Sequence, residues 1–180
     1  TAGTATLSDY TLLSSSLTIP AGSREETTTL QAVSDNIDEA VEKVEVSISS
    51  VSGGNGAKAG GNQVEVSIND DDVSGFTVAA SGGSTSVSES GSTDTFTVVL
   101  KSQPTGNVVF STTVSDATEA RLSTSALTFT SSNWNKLQTV TVTGIDDSVD
   151  DGNTSSTIQV AINKASTADT NYDGLSTQTL

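Results

Sequence analysis

The stretch that most constrains the fold is Gln63–Ser74, QVEVSINDDDVS. Gln63, Glu65, Ser67 and Asn69 alternate with Val64, Val66 and Ile68. That period of two marks a strand with one face in a core. Asp70, Asp71 and Asp72 follow at once and crowd three like charges together. At an effective dielectric of ~20, two charges ~5 Å apart repel by roughly 3 kcal/mol. A solvated linker bears that; an ordered junction bears it only with a cation in place. The run therefore reads as the end of one β-domain and the opening of the next, with Ca²⁺ held where they join.

The chain has 180 residues, enough for one large or two small domains. With 22 acids against 7 bases the net charge is −15, which argues against nucleic acid and anionic membrane surfaces and favours cations. Cys and His are absent. No disulfide is available, and the commonest general base and zinc ligand are missing. Ser, Thr, Gly, Asp and Val dominate, the vocabulary of short strands joined by turns. No apolar run approaches ~20 residues, so no membrane insertion is expected in this segment. The chain starts at Thr1 without a signal peptide, so it is expected to be a fragment or processed product.

In order, Thr4–Leu13 is strand-like, Leu17–Ile19 is short and apolar, and Pro20-Ala21-Gly22 turns the chain. Glu26–Val33 is the next expected strand, and Ser34–Val41 an acidic loop. Glu42–Ser50 and Gln63–Asn69 read as a hairpin around the Gly-rich Gly53–Asn62 loop. Further strands are expected at Gly75–Ala80, Thr85–Ser88, Thr95–Leu100, Val108–Val114, Ala126–Phe129, Thr139–Thr143 and Thr157–Ile162, with no amphipathic helix. Short strands regularly spaced between turns predict an all-β chain of tandem antiparallel β-sandwich domains, residues 1–72 and 73–180.

The pattern repeats. Leu17-Thr18-Ile19 is answered by Leu127-Thr128-Phe129, and Val46-Ser47-Ile48 by Val160-Ala161-Ile162. Asp147 stands where Asp35 does, Asp151 where Glu39 does. The first copy begins about where Val108 falls in the second and lacks the opening strands; the second stops before its closing acidic strand. Unpaired sheet edges of that kind need covering.

Ca²⁺ takes about six to eight oxygen ligands in flexible geometry. Three separated segments of the first copy offer them: Asp9; Asp35, Glu39 and Glu42; and Asp70, Asp71 and Asp72. In the second copy the candidates are Glu89, Asp116, Asp146, Asp147, Asp150 and Asp151. The bland alternative is a set of solvated acidic turns.

Asp9-Tyr10 after GTATLS, the LTIPAG strand and turn, the SDNIDEAVEKVEV loop and the terminal INDDD resemble a Calx-beta domain. VSESGSTDTFTVVL and the IDDSVDDGN loop carry a similar, more divergent match in the second copy. The resemblance implies an immunoglobulin-like sandwich with calcium at the end nearest the next module. Its ligands fall on Asp9, Asp35, Glu39, Glu42, Asp70, Asp71 and Asp72, and on Glu89 for the second copy. Ser34 stands where the family often has an aspartate, the first copy has no VSE segment, and Thr154 stands against Glu42.

Other motifs carry less. Gly54-Asn55-Gly56 to Gly60-Gly61 lacks the Gly-Lys-Ser/Thr end and following helix of a phosphate cradle, and Lys58 is misplaced. Trp134 fits packing over a sheet edge, with sugar binding as the alternative. Tyr172 is expected to pack on the second domain. Clustered acids with few aromatics argue against glycosidase chemistry. Asn153-Thr154-Ser155 is a weak glycosylation sequon. The expectation is a non-enzymatic calcium-stiffened spacer of a bacterial secreted or cell-surface protein, such as an adhesin stalk. Its expected partners are neighbouring domains, adjacent subunits of a fibre or layer built by strand exchange, or a cell-surface or glycan ligand.

Overall fold

The computed structural model describes residues 2–53, 63–150 and 152–180. The Gly54–Gly61 motif, most of the hairpin loop and Asp151 lie outside the described residues. The chain divides into two compact units: Thr1–Asp35 with Glu39–Asp71, and Asn36–Asp38 with Asp72–Leu180.

In unit 1, β1 (Ala2–Gly3), β4 (Glu42–Ser47) and β5 (Gln63–Ile68) form one sheet in the order β1-β4-β5. β2 (Tyr10–Leu12) and β3 (Leu30–Ala32) form a second, two-stranded sheet. The expected hairpin is present: Ser47 faces Gln63, and Glu42 faces Ile68. An exposed Lys43–Glu65 ion pair of 2.8 Å bridges its outer face. The expected core face is only partly covered: in β4 Val44 is buried and its neighbour Lys43 exposed, but Val46 is half-buried, and in β5 Val64 is exposed.

Unit 2 is a sandwich of two sheets, its last strand two residues long. Its strands are β6 (Phe76–Ala80), β7 (Thr93–Leu100), β8 (Val108–Val114), β9 (Ala120–Leu122), β10 (Ala126–Phe129), β11 (Gln138–Gly144), β12 (Ile158–Ile162) and β13 (Gln178–Thr179). They build two four-stranded antiparallel sheets, β6-β7-β11-β9 and β10-β8-β12-β13. Every second residue of β7 and β11 points inward: Phe96, Val98 and Leu100, and Val140 and Val142. Phe110 packs edge-on against Phe76 at 4.7 Å and Phe129 at 5.8 Å between ring centroids, the arrangement aromatic quadrupoles favour. Tyr172 is fully buried; its hydroxyl donates to the Ser102 carbonyl at 2.7 Å, so the ring packs while its polar tip is satisfied. Trp134 packs partly buried against this core. The helical content among the described residues is two short 3₁₀ turns, Ser81–Gly83 and Thr170–Tyr172.

Asn36–Asp38 belongs to unit 2 although it follows Asp35 of unit 1. The Asn36 carbonyl accepts from Gln103 N–H at 2.6 Å, and Asp38 Oδ2 from Ser74 N–H at 2.7 Å. The Asp38 carbonyl accepts from Asn171 Nδ2 at 2.6 Å. Asp38 is therefore a hydrogen-bond acceptor for unit 2.

Several sequence expectations change. The first copy does not begin opposite Val108. Ala2 faces Glu45 as Thr113 faces Gln159, so Ala2 is the counterpart of Thr113. Leu17–Ile19 forms no strand, because β1 is too short to reach it, whereas its counterpart β10 pairs with the first half of β8. Of Glu26–Val33 only Leu30–Ala32 is a strand, since its one neighbour, β2, is three residues long. Thr4–Leu13 is mostly turn, with β2 at its end. Thr85–Ser88 forms no ladder because side chains take its donors: Ser86 N–H bonds Asp94 Oδ2 at 2.9 Å and Ser88 N–H bonds Ser92 Oγ at 2.7 Å.

Candidate metal centre

Asp9 sits in a turn at the entry to β2 and is buried. Thr6 shapes that turn: its backbone N–H and its hydroxyl both donate to Asp9 Oδ2, the hydroxyl at 2.7 Å. Ser8 donates to Oδ1 at 3.1 Å. The bonds from the Thr6 side chain and backbone outweigh desolvation and hold the Asp9 carboxyl below its usual value. The Asp9 carbonyl takes Val33 N–H at 2.9 Å, which brings the end of β3, and with it Asp35, towards the same place. Glu42 begins β4, and Glu39 lies three residues before it.

These pieces converge. Asp9, Glu39 and Glu42 each offer a carboxylate oxygen, all within 4.8 Å of one another. Together with Asp35, Asp70 and Asp71 they line one cavity of about 330 Å³. Glu39 N–H donates to Asp70 Oδ2 at 2.7 Å, tying the end of β5 to the acidic loop. Desolvation, then the neighbouring Asp35, Asp9 and Asp70 charges, push Glu39 up. Desolvation, then the hydrogen bond with Asp9, push Glu42 up. Six carboxylates around one cavity, two of them already driven towards the proton, form a hard, oxygen-only donor set. That chemistry fits Ca²⁺ or Mg²⁺ and does not fit soft metals. Asp70, Asp71 and Asp72 form a second group within 4.8 Å, as neighbours along the chain.

Unit 2 places its candidates differently. Glu89 and Asp150 line a cavity of about 810 Å³ with Glu119, Thr154 and Ser156. Glu89 and Asp146 line a separate cleft of about 430 Å³. Asp116 lines neither; it closes its own turn by accepting Thr118 N–H at 2.9 Å and the Thr118 hydroxyl, which lowers its pKa. Asp147 accepts Val149 N–H at 2.7 Å in the same manner. Among the described residues unit 2 shows no acidic triad close enough to share an ion.

Sequence reasoning missed Glu119. The Glu119 carbonyl accepts Ile145 N–H at 2.9 Å, just as Asp9 accepts Val33 N–H, so Glu119 is the counterpart of Asp9. The repeat carried that signal: counting back from Leu127 and Leu17 by equal steps lands on Glu119 and Asp9. The counterpart of Glu42 is also corrected. Ser115 N–H bonds the Thr157 carbonyl as Ala5 N–H bonds that of Lys43, which sets Ser156, not Thr154, against Glu42. Ser156 Oγ and Thr85 Oγ1 are buried in this cavity without a hydrogen-bond partner among the described residues. Thr154 instead donates to Glu119 Oε2 at 3.2 Å. Unit 2 thus keeps a polar, oxygen-lined version of the site with fewer charges.

A sequence profile of the Calx-beta domain matches residues 1–72 and again 71–179. The chain belongs to the Calx-beta domain family. This is a family of calcium-binding β-sandwich modules, and here two tandem copies follow one another. No curated protein and no solved structure matches the chain significantly. The acidic groups of the first Calx-beta copy are ones that could hold a metal ion.

Proposed function

We propose that this chain is a calcium-binding structural segment of a bacterial secreted or cell-surface protein, with a non-catalytic role as a stiff spacer. Its main Ca²⁺ site is built by Asp9, Glu39 and Glu42, supported by Asp35, Asp70 and Asp71. The observation that carries this reading is the convergence of three distant chain segments on one cavity, with three carboxylates within 4.8 Å of one another. Acids brought that close repel unless a cation or proton lies among them. At neutral pH the cation is the available answer.

The mechanical part follows from chain connectivity. The chain passes between the units at Asp35–Asn36, at Asp38–Glu39 and at Asp71–Asp72. Asp35, Glu39 and Asp71, which flank these three crossings, all line the cavity. An ion that fixes those carboxylates fixes the chain on the unit 1 side of every crossing. Without it, the same residues repel and their backbone loosens. Extracellular calcium modules bind at about 10⁻⁴–10⁻³ M, a range that suits a surface location. No helix of the described residues is long and apolar enough to cross a membrane.

The test is a melting scan of the full chain in calcium and in chelator. At a hundredfold excess over its dissociation constant, one site adds about 2.7 kcal/mol. Unit 1 is expected to melt well below unit 2 in chelator and to rise markedly with calcium. A transition indifferent to calcium sinks the proposal.

A further inference from the structure

One motif of the sequence stands outside the calcium reading. Asn153-Thr154-Ser155 is the place in this chain where an asparagine has a serine or threonine two residues on. Such a tripeptide carries meaning on a surface loop, where its amide can reach an enzyme. The fold supplies that context. The tripeptide lies between β11 and β12, outside any strand, and Asn153, Thr154 and Ser155 are all exposed. Gly152, just before it, has a φ of +73°, and a Cβ there would meet nothing within 4 Å. The approach to Asn153 is open.

The neighbouring side chains sharpen the point. Ile158 is buried, Thr157 exposed, the Ser156 hydroxyl oxygen buried and Ser155 exposed, so the two-residue period of β12 runs back into the loop. Thr154 continues it, turning its hydroxyl to Glu119 Oε2 at 3.2 Å. Asn153 and Ser155 therefore fall on the other side of the backbone from Thr154 and Ser156. Thr157 anchors the segment: its N–H donates to Ser115 Oγ and its carbonyl accepts Ser115 N–H, both at 2.8 Å. Among the described residues the Asn153 amide and the Ser155 hydroxyl have no hydrogen-bond partner. The two groups that define a glycosylation acceptor are thus uncommitted, share one side, and sit beside an anchored stretch of backbone.

We propose that Asn153 is an N-glycosylation site, taking an oligosaccharide from a lipid diphosphate carrier. Asn153 Nδ2 bonds to the anomeric carbon of the sugar. The bond from that carbon to the carrier's phosphate oxygen breaks, the lipid diphosphate leaves with the electron pair, and the amide proton passes to a base of the transferase. Ser155 supplies the hydroxyl read together with the amide. The bulky, solvated glycan then covers the loop between β11 and β12. The secreted location proposed above matters here only for access to the enzyme; the geometry of the acceptor does not depend on it.

The experiment incubates the folded full chain with a purified bacterial oligosaccharyltransferase and its lipid-linked oligosaccharide, and reads intact and peptide masses. One glycan per chain is expected, on the peptide that carries Asn153. Ser155→Thr is expected to keep it, because threonine offers the same hydroxyl. Ser155→Ala and Asn153→Gln are expected to lose it; both positions are exposed, so the fold is not at stake. No mass gain on the folded chain overturns the proposal, as does a gain that appears only after heat unfolds it. A yield that Ser155→Ala leaves unchanged overturns it as well. Calcium binding is titrated on the same sample, so failure of the calcium reading and failure of this one are told apart.

Discussion

Gly144 and Ser88 meet so closely that a Cβ on Gly144 would lie 2.1 Å from the Ser88 carbonyl oxygen. The contact is backbone against backbone, so neither side can swing away as a flexible side chain could. It presses the Ser86–Ser92 turn onto the end of β11. Gly144→Ala must push that turn outward or bend β11. The expected cost is about 1–3 kcal/mol, the usual range for overpacking, and a fall of several degrees in the unit 2 melting transition. Differential scanning calorimetry checks it; an unchanged transition means that Ser88 is not held against β11.

Glu119 takes the place of Asp9 in unit 2, and Asp116 does not. The Glu119 cavity of unit 2, with fewer charges, is expected to give a second calcium event weaker than that of unit 1, and its affinity is expected to drop about tenfold, or about 1.4 kcal/mol, in Glu119→Gln. Asp116→Asn should leave that event within about twofold, because Asp116 is occupied by its own Thr118 turn. Calorimetric titration of the two variants separates them. The reverse order would show that the register between the copies is misread.

In unit 1, Asp9→Asn keeps an acceptor for the Thr6 bonds but removes one charge from the triad. Its calcium affinity is expected to fall tenfold or more, since affinity in such sites follows the number of charged ligands. Asp94→Asn is the control. Asp94 accepts from the Ser81 hydroxyl, Ser86 N–H and Thr95 N–H within unit 2 and lies outside both cavities. It should lower unit 2 stability with unit 1 calcium affinity unchanged.

The pH response has a definite sign. Glu39 and Glu42 have pKa values raised above the ordinary 4.5, chiefly by desolvation, then by neighbouring carboxylates. Their contribution to the metal-free fold is fully present below that ordinary value. It is lost as pH rises through the raised values. Calcium needs both groups deprotonated, so it acts in the opposite direction. The stabilisation by calcium should therefore be larger at pH 7 than at pH 5, and binding near pH 5 should release protons. Melting scans at the two values, with and without chelator, and titrations in buffers of different protonation heat test both parts.

Much of the fold was legible in the residues. Val44, Val46, Val64 and Val66 alternate with polar neighbours and form the expected hairpin, over the shorter spans Glu42–Ser47 and Gln63–Ile68. The repeat marked by Leu17–Ile19 and Leu127–Phe129 corresponds to the tandem Calx-beta matches. Strands of unit 1 were over-read where a good local pattern had nothing to pair with. Glu26–Thr29 and Leu17–Ile19 have strand-forming residues, yet a strand exists only through its neighbour's hydrogen bonds. No local propensity reports whether that neighbour is there.

The sequence by itself determined an acidic, disulfide-free, all-β chain of two similar copies, because composition and period are properties of residues taken in order. The tertiary structure alone decided which acids meet. Asp9, Glu39 and Glu42 come together because the Asp9 carbonyl ties β2 to Val33, and Asp70 is bound to Glu39 N–H. Asp116, which looked as promising in the string, is spent on its own turn. Carboxylates are alike along the chain; backbone hydrogen bonds between distant strands choose which of them share a cavity.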